Sequence, residues 1–459
     1  MPSDMQSFVD PPGRATQSAT TRLAPCPCGS GLRFKQCCGD RQSYTDINTR
    51  KQAALRAHLG GDLLAARHSY AVLNAQRPDD DDVLHMLALC HHQLGCIPES
   101  LRLFCILLAR LPSPPDAVWQ NLALVVSSAA HQPDHPTVVA QRSRYLDWRT
   151  RTAVRAADTC TTIGVVIPSY NHGNFVTHAI ESVLQQTRLP EEIIVIDDGS
   201  IDNSAHNIRI ALKRCTVPYR LFFRHNCGAA ETLNEAISLS SCEWIAPLNS
   251  DDCFEEERLA HLGSACVRSE IDWGFGSVDM VTTDGRNLGR MHESVRDLYA
   301  VHDSLHMSDC LGLAFLRNNP AISSGNLFFR KSLWHRIGGF APLRYNHDWQ
   351  FCLAASMQSE PLFVPGARYR YRWHGGNTIR DSDSAPAQEA TSLFQQFLNG
   401  IDTNPTGRNP FAPLASAWGP TFWGTLAAGG HLHCMPRNEL LAALRQLTRI
   451  AEDRLQVAA

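Results

Sequence analysis

Residues 163–171 read IGVVIPSYN and residues 192–200 read EIIVIDDGS, two short apolar runs that each end in polar residues. A helical stretch, Phe175 to Gln185, lies between them. Strands that alternate with helices are typical of a largely parallel sheet with helices on its faces. Because ligands of such sheets bind outside the carboxyl ends of the strands, we expect Asp197 and Asp198 to lie at a binding edge. An ordinary turn that caps the next helix is the alternative interpretation of these two acids.

Two further strand ends continue this pattern. Residues 219–234 read YRLFFRHNCGAAETLN, a strand that passes through Asn226 and Gly228 into a helix whose N-terminus can face a phosphate. Residues 242–252 read CEWIAPLNSDD, a strand that ends in two carboxylates. Such oxygen ligands suit Mg²⁺ or Mn²⁺, which usually share their coordination shell with substrate phosphates. The sequence therefore predicts a divalent cation beside a diphosphate, where it would neutralise a departing nucleoside diphosphate.

Taken together, the strings IPSYN, VIDDGS, NCGAAETLNEAI and PLNSDD resemble family-2 glycosyltransferases of the GT-A fold. The resemblance implies an α/β domain over residues 161–380, with a GT-A-type, mostly parallel sheet flanked by helices. The aspartate-any-aspartate metal motif of the family falls on Asn249-Ser250-Asp251, so its first acid is asparagine here. The resemblance therefore assigns the metal mainly to Asp251, with Asp252 second.

The second half of this domain should supply the acceptor side. The family's Glu/His-Asp-Trp motif falls on His347-Asp348-Trp349, and by resemblance Asp348 is the general base that deprotonates an acceptor hydroxyl. An ordinary acid at a helix N-terminus is the alternative interpretation of this aspartate. Residues 369–378 read YRYRWHGGNT, similar to a stretch that lies near the pyrophosphate in related enzymes. By that resemblance His374 contacts the diphosphate or the metal, and Arg372 balances phosphate charge.

The resemblance implies an inverting enzyme that moves a sugar from a UDP- or dTDP-sugar to an acceptor hydroxyl, with Mn²⁺ or Mg²⁺ as cofactor. A glycan, a lipid-linked acceptor and a protein are all compatible acceptors. A catalytically inactive nucleotide-binding scaffold is the alternative, with Asn249 as its main support. A nucleotidyltransferase fits less well, because no Gly-rich loop with Lys or Arg follows the first strand. The residues assigned to donor binding are Pro168, Tyr170, Asp197, Asp198, Asn226, Gly228, Asn249 and His374.

A compact cysteine cluster precedes this domain. Residues 26–39 read CPCGSGLRFKQCCG. Thiolates suit tetrahedral zinc, and four protein ligands would close its shell. The string resembles the SEC-C zinc motif, so a structural zinc held by Cys26, Cys28, Cys37 and Cys38 is predicted within residues 26–40. Two unconnected cysteine pairs are the alternative.

Residues 45–150 are helical in pattern and contain an internal repeat of 34 residues. The repeat resembles the tetratricopeptide motif, and such helical repeats stack and usually present a groove to a partner. We therefore expect a protein partner on this surface, with an unrelated helical bundle as the alternative. The repeated pairs are Gly61 and Gly95, Tyr70 and Phe104, Leu73 and Leu107, and Pro78 and Pro112.

Composition sets the remaining bounds. The 459 residues are 44% hydrophobic and carry a net charge of −3 with dispersed signs, which argues against a dedicated nucleic-acid binder. Neither a signal peptide nor a membrane-spanning run is evident, so we expect a cytoplasmic protein, with peripheral association at the inner membrane left open. Residues 1–25 have the composition of a disordered segment, and residues 385–459 are predicted to form a helical C-terminal extension.

Overall fold

The computed structural model describes residues 33, 41–152, 161–268, 271–378, 384–403 and 408–458. The chain divides into two compact units, Met1–Cys96 and Ile97–Ala459. Residues 1–25, and the cysteine cluster at 26–40 apart from Arg33, lie outside the described residues, so the structural zinc stays a prediction. Among the helices that the structure describes, none combines the length and the hydrophobicity that a membrane span needs.

In the first unit, the described residues form three helices, α1 (Arg41–Leu59), α2 (Leu63–Gln76) and α3 (Asp81–Gln93). The helices α2 and α3 each begin after an aspartate, Asp62 and Asp80, whose side chain accepts a hydrogen bond from the backbone N–H three residues on. This contact satisfies one of the free N–H groups at each helix start. Helix α2 packs against both α1 and α3.

The repeated positions have matching environments in the two copies. Gly61 and Gly95 both follow a helix and have φ of 83° and 78°, a left-handed conformation that favours glycine. Tyr70 and Phe104 are both buried, with 2% and 0% of their surface exposed. The helical region is therefore present as predicted, and its assignment as tetratricopeptide repeats stays a prediction.

The second unit opens with three helices, α4 (Ile97–Arg110), α5 (Asp116–Ala130) and α6 (Pro136–Thr152). They are followed by an eight-stranded sheet with the order β3-β2-β1-β4-β7-β6-β8-β5. The strands are β1 (Ile163–Ser169), β2 (Glu192–Asp197), β3 (Tyr219–Phe223), β4 (Trp244–Pro247), β5 (Cys253–Phe254), β6 (Trp273–Val281), β7 (Leu327–Arg330) and β8 (Leu362–Arg372).

The sheet is mixed. Strand β1 pairs in parallel with β2 and β4, as do β2 with β3 and β6 with β8. Strand β7 runs antiparallel to β4 and β6, and β5 runs antiparallel to β8. The pairing of β6 with β8 shifts register beside Gly276, where a Cβ atom would lie 1.6 Å from the Ala367 carbonyl oxygen. The predicted α/β class is confirmed, with antiparallel pairs in the second half of the sheet.

Helices cover this sheet and extend beyond it. The helices that follow β1 in the chain are α7 (Val176–Leu184), α8 (Ser204–Leu212), α9 (Ala229–Leu239), α10 (Arg258–Arg268), α11 (Arg296–Asp303), α12 (Leu311–Ala314), α13 (Lys331–Ile337), α14 (His347–Gln358), α15 (Ala385–Thr403), α16 (Ala415–Trp418), α17 (Pro420–Ala428) and α18 (Arg437–Ala458). Strand β1 is almost wholly buried, and its residues Ile163, Val165 and Ile167 share a core with α7 and α10. The C-terminal helices pack on the helices that open the unit, α18 on α4, α17 on α5 and α16 on α6.

One carboxylate, Glu192 at the start of β2, ties this strand to the turn before β4. Its Oε1 accepts hydrogen bonds from the Ser240 hydroxyl at 2.6 Å, the Ser241 N–H at 2.6 Å and the Cys242 N–H at 3.2 Å. Its Oε2 accepts from Arg220 at 2.8 Å. Burial acts to raise the pKa of Glu192, but these hydrogen bonds outweigh burial and lower the pKa to about 2.

We expect Glu192→Gln to destabilise the second unit in a pH-dependent way. A folded pKa of about 2, against an ordinary value of 4.5, means that the ionised side chain contributes stability above pH 4.5 that is lost as the pH falls toward 2. At pH 7 the loss should be about 3 kcal/mol of unfolding free energy.

The melting temperatures of wild type and Glu192→Gln, measured from pH 7 down to pH 3, test this expectation. The difference between the two melting temperatures should become smaller as the pH falls. Glu257→Gln, at a side chain that is 68% exposed, is the matched control and should leave the melting curve unchanged. A gap that stays constant with pH would contradict the assigned role of the carboxylate.

Candidate functional site

A cavity of 1130 Å³ lies at the carboxyl ends of β1, β2 and β4. Most of the residues that were predicted from the sequence to have donor, metal and acceptor roles line this cavity. Asp197 and Asp252 are buried and do not line it. The predicted residues that line the cavity are Pro168, Tyr170, Asp198, Asn226, Gly228, Asn249, Asp251, Asp348 and His374.

The loops after β1 and β2 are joined by Asn171. Its φ is 53°, a left-handed conformation that is uncommon outside glycine. The Asn171 N–H donates to the Ser200 hydroxyl at 2.9 Å, and its side-chain oxygen accepts from the Ile201 N–H at 2.9 Å. These reciprocal bonds hold the two loops together at the cavity mouth beside Tyr170, which is 46% exposed.

The two adjacent acids after β2 have different surroundings. Asp198 accepts hydrogen bonds from the Cys227 N–H at 3.0 Å and the Gly228 N–H at 2.9 Å, and it pairs with Arg224 at 2.9 Å. It therefore fixes the turn that leads into α9. Gly228 has a φ of 93°, a conformation that favours glycine at this turn.

Asp197 does not line the cavity, and 2% of its surface is exposed. Its Oδ1 accepts a hydrogen bond from the Ser200 N–H at 2.9 Å, which closes a turn within the loop after β2 but does not cap the next helix. Its buried Oδ2 has no hydrogen-bond partner among the residues that the structure describes. In this conformation Asp197 shapes the loop rather than the cavity surface.

Three side chains at the cavity wall can share one metal ion: His172, Asp251 and His374. Their ligand atoms all lie within 4.8 Å of one another. The Asp251 Oδ2 is 3.0 Å from the His374 Nε2 and 3.7 Å from the His172 Nε2. Two imidazoles and one carboxylate are a donor set that transition metals such as Mn²⁺ accept more readily than Mg²⁺. His172 directly follows the IPSYN string but was not among the residues predicted from the sequence.

The two imidazoles are held differently. The His172 Nδ1 lies 2.8 Å from the Ser250 hydroxyl, so this nitrogen can carry the ring hydrogen and leave the Nε2 lone pair for a cation. The His374 Nδ1 accepts a hydrogen bond from the Gly376 N–H at 3.1 Å, which places the ring hydrogen on the Nε2 that faces Asp251. His374 can therefore bind a cation through Nε2 only when this hydrogen moves to Nδ1 and the bond from Gly376 is given up. Burial opposes ionisation of Asp251, but the charge of His172 and the hydrogen bond of His374 outweigh burial and lower the pKa of this carboxyl.

Asp252 faces away from the cavity. Its Oδ2 accepts a hydrogen bond from the Tyr369 hydroxyl at 2.5 Å and its Oδ1 accepts from the Arg372 N–H at 2.7 Å. Burial, and then the charge of Asp251, raise the pKa of Asp252 well above its usual value. The Arg372 guanidinium donates to the backbone oxygens of Asp251 and Thr283 at 2.8 Å and 2.7 Å. Asp252 and Arg372 therefore hold the backbone that presents Asp251.

Asn249, which stands where the family has its first metal-binding acid, is tied to a serine pair. Its side-chain amide donates to the Ser323 hydroxyl at 2.9 Å, and its side-chain oxygen accepts from the Ser324 hydroxyl at 3.1 Å. An amide nitrogen is not a metal ligand, and the oxygen of this amide is already engaged. Asn249 lines the cavity but joins β4 to the segment before β7.

Asp348 lies in the first turn of α14 and lines the same cavity. Its Oδ1 accepts a hydrogen bond from the Trp349 N–H at 2.7 Å. Burial raises the pKa of Asp348 above its ordinary value, and His347 acts in the opposite direction. The Trp349 indole N–H donates to the Phe315 carbonyl oxygen at 2.7 Å, which anchors the start of the helix. A half-buried carboxylate with a raised pKa at a cavity wall is suited to accept a proton.

Two sequence families match the chain. Residues 164–351 match Glycosyl transferase family 2, and residues 24–40 match the SEC-C motif. Both resemblances drawn from the sequence are thereby confirmed. Residues 164–351 are thus similar to glycosyltransferases of this family, and residues 24–40 are similar to SEC-C segments.

Curated relatives point the same way. An uncharacterized glycosyltransferase of Nostoc sp. is 29% identical over 249 residues, which cover 52% of this chain and 74% of the relative. The glycosyltransferase GlyG of Streptococcus pneumoniae is 32% identical over 115 residues, which cover 25% of this chain and 38% of the relative. Each of these two matches thus covers only part of the chain.

Two solved structures are also similar in outline. Staphylococcus aureus TarS 1-349 in complex with UDP-GlcNAc has 15% identity and a TM-score of 0.44, over 64% of this chain and 92% of that chain. The mannosyltransferase PcManGT from Pyrobaculum calidifontis, in complex with GDP-Man and Mn²⁺, has 16% identity and a TM-score of 0.41, over 73% of this chain and 98% of that chain. At these scores neither structure assigns a role to a residue of this chain.

The anchoring role of Asp198 predicts a local effect of its removal. In Asp198→Ala the Cys227 and Gly228 N–H groups lose their acceptor, so their amide hydrogens should exchange at least ~10-fold faster. Hydrogen exchange followed by mass spectrometry measures this rate. Asp297→Ala, at a side chain that is 90% exposed, is the control and should leave the peptide around Cys227 unchanged. Equal exchange in both variants would show that the turn does not depend on Asp198.

Proposed function

We propose that this protein is an inverting glycosyltransferase that moves a sugar from a UDP- or dTDP-sugar to an acceptor hydroxyl, with a divalent cation on the diphosphate and Asp348 as the general base. One observation carries the proposal. A single cavity, lined mostly by residues that match Glycosyl transferase family 2, contains both the His172-Asp251-His374 cluster and Asp348, a half-buried aspartate whose pKa is raised. The donor side is assigned to Pro168, Tyr170, Asp198, Asn226, Gly228, Asn249 and His374 at the cavity wall, with Asp197 behind them as the residue that shapes the loop after β2.

The role of Asp348 follows from its environment. A hydroxyl becomes acidic only as it bonds to the anomeric carbon, so its proton must be taken by a group already in place. Burial makes the Asp348 carboxylate more basic than an exposed aspartate. Attack from the side opposite the leaving diphosphate then inverts the configuration of the sugar. The position of Asp348 at the start of α14 fixes the carboxylate on a rigid element.

The cation is assigned to Asp251, supported by His172 and His374. These residues fit a divalent metal because their ligand atoms converge within 4.8 Å and the Asp251 carboxylate favours its ionised form. A bound cation would stabilise the negative charge on the departing nucleoside diphosphate. The chain's own part is to orient the ligands, through Ser250 at His172 and through Asp252 at the Asp251 backbone. Asp252 itself, with both oxygens engaged, takes the supporting role in this proposal.

We also propose roles for the segments outside the glycosyltransferase-like region. The SEC-C segment is proposed to hold a structural Zn²⁺ through its four cysteines, and the helical repeats are proposed to bind a protein partner. The acceptor, whether glycan, lipid-linked or protein, is left open, and we propose a cytoplasmic protein. The proposed domains are 1–25, 26–40, 45–150, 161–380 and 385–459. Within the second unit, the helices α4–α6 pack on the C-terminal helices α16–α18.

An inactive nucleotide-binding scaffold is the second candidate, and Asn249 is the observation that favours it. Purified protein incubated with Mn²⁺ and UDP-GlcNAc, UDP-glucose, UDP-galactose or dTDP-glucose distinguishes the two functions. Release of free nucleoside diphosphate supports the transferase. Binding of UDP without release from any sugar nucleotide supports the scaffold.

Replacing Asp348 by Asn should remove activity and leave nucleotide binding nearly intact. The amide cannot accept the proton, so turnover should fall at least ~100-fold, within the range of general base catalysis. In wild type, turnover should rise with pH through the raised pKa of Asp348, because only the ionised carboxylate is a base. Nucleoside diphosphate release gives the rate, and calorimetry with UDP and Mn²⁺ gives the affinity. Asp297→Asn is the exposed control, and normal turnover of Asp348→Asn would rule out the assigned base.

The metal assignment predicts a preference for Mn²⁺ over Mg²⁺. His172→Ala and Asp251→Ala should each weaken Mn²⁺ binding at least ~10-fold, because each removes a ligand atom. Calorimetry and the electron paramagnetic resonance spectrum of Mn²⁺ measure binding without reference to turnover. His178→Ala, at an exposed histidine of α7, is the matched control. Unchanged Mn²⁺ affinity in His172→Ala would remove this residue from the site.

A further inference from the structure

The loop that leads into α14 is held by one carboxylate from α15. The Glu389 Oε1 accepts a hydrogen bond from the Arg344 N–H at 2.7 Å. Its Oε2 accepts from the Tyr345 N–H and the Asn346 N–H, both at 2.8 Å. Three consecutive backbone N–H groups thus converge on a single side chain. Hydrogen bonds to an ionised acceptor are among the stronger ones in proteins, so this contact fixes the path of the loop.

The side chain of Asn346 is part of the same contact. Asn346 is the residue before α14, a position where an asparagine side chain often caps the helix. Here it makes no capping bond to the helix. Its side-chain amide instead donates to the Glu389 Oε2 and to the Pro386 carbonyl oxygen, both at 3.1 Å. The start of α14 is therefore anchored to α15 rather than capped from within.

This anchor lies next to the proposed base. Arg344, Tyr345 and Asn346 line the cavity, and Asp348 follows two residues after the last of them. Pro386, in the first turn of α15, lines the cavity as well. A shift of the loop would therefore be transmitted directly to the Asp348 carboxylate.

Glu389 lies outside the part of the chain that the family covers. The match to Glycosyl transferase family 2 ends at residue 351, which includes the loop and Asp348 but leaves out α15. The C-terminal extension thus contributes a wall residue and a loop anchor to a cavity that is lined mostly by the family region.

We propose that Glu389 is a positioning residue, which holds the loop 344–346 so that the Asp348 carboxylate faces the acceptor. This inference rests on the proposed function of Asp348. Glu389 does not touch the reacting atoms, and it acts through the backbone of the loop. Small displacements of a catalytic group can cost up to ~100-fold in rate, so the contact is expected to control turnover more than binding.

The test uses the full-length protein and two variants, Glu389→Ala and Glu389→Gln. Alanine removes every acceptor, whereas glutamine keeps the shape and one acceptor oxygen, so it also serves if the alanine variant folds poorly. We expect kcat for nucleoside diphosphate release to fall ~10-fold to ~100-fold in Glu389→Ala and less in Glu389→Gln. The KM for the sugar nucleotide and the Kd for UDP with Mn²⁺ should stay within about twofold.

The matched control is Gln388→Ala, one residue away on the same helix, where the exposed side chain bonds to Ser384 instead of the loop. It should leave kcat unchanged. Normal kcat in both Glu389 variants would overturn the positioning role, as would an equal loss of kcat and of UDP affinity. Asp348→Asn, measured in parallel, separates the two proposals. If it is inactive while both Glu389 variants are fully active, the base assignment stands and the positioning role is wrong.

Discussion

The parallel pairing of β1 with β2 and β4 is the constraint on which the site depends. The register places Ser169 beside Asp197 and Val166 beside Pro247, so the three strands finish at one edge of the sheet. Their polar ends are then brought together without any long loop. Because the strands themselves are buried on both faces, a slip in register would cost apolar burial along the whole of β1. The core therefore sets the positions of the strand ends that carry Asp198 and Asp251, and local hydrogen bonds then hold the two loops.

Local sequence signals were enough to predict this half of the molecule. The apolar runs, the abrupt changes to Pro-Ser-Tyr-Asn and Asp-Asp-Gly-Ser, and the helices between them all lie where the sequence placed them. The reason is physical: each signal depends on residues close to one another in the chain, and parallel strands of one sheet bring their ends to the same edge. The position of Asp348 at the start of a helix was also predicted from a short string, and α14 begins there.

The features of the site that could not be predicted from the sequence depend on contacts between residues that are far apart in the chain. His172 reads as one more polar loop residue until β4 places Asp251 beside it, 79 positions later. Asp251 and Asp252 look equivalent in sequence. Hydrogen bonds from Tyr369 and Arg372 of β8 hold Asp252 in the interior, where it supports the backbone. The antiparallel pairs of β7 and β5 were likewise missed, since short strands give little indication of their direction. In each case the decisive partner lies on an element whose pairing no local pattern specifies.

The contact between α15 and the loop before α14 also bears on how such enzymes diversify. A recombination event that exchanged the region of family similarity alone would carry Asp251 and Asp348 into a new protein but leave Glu389 behind. The three loop N–H groups would then need a new acceptor in the recipient. A transferred segment that kept this contact would thus have to extend beyond residue 351, as far as Glu389.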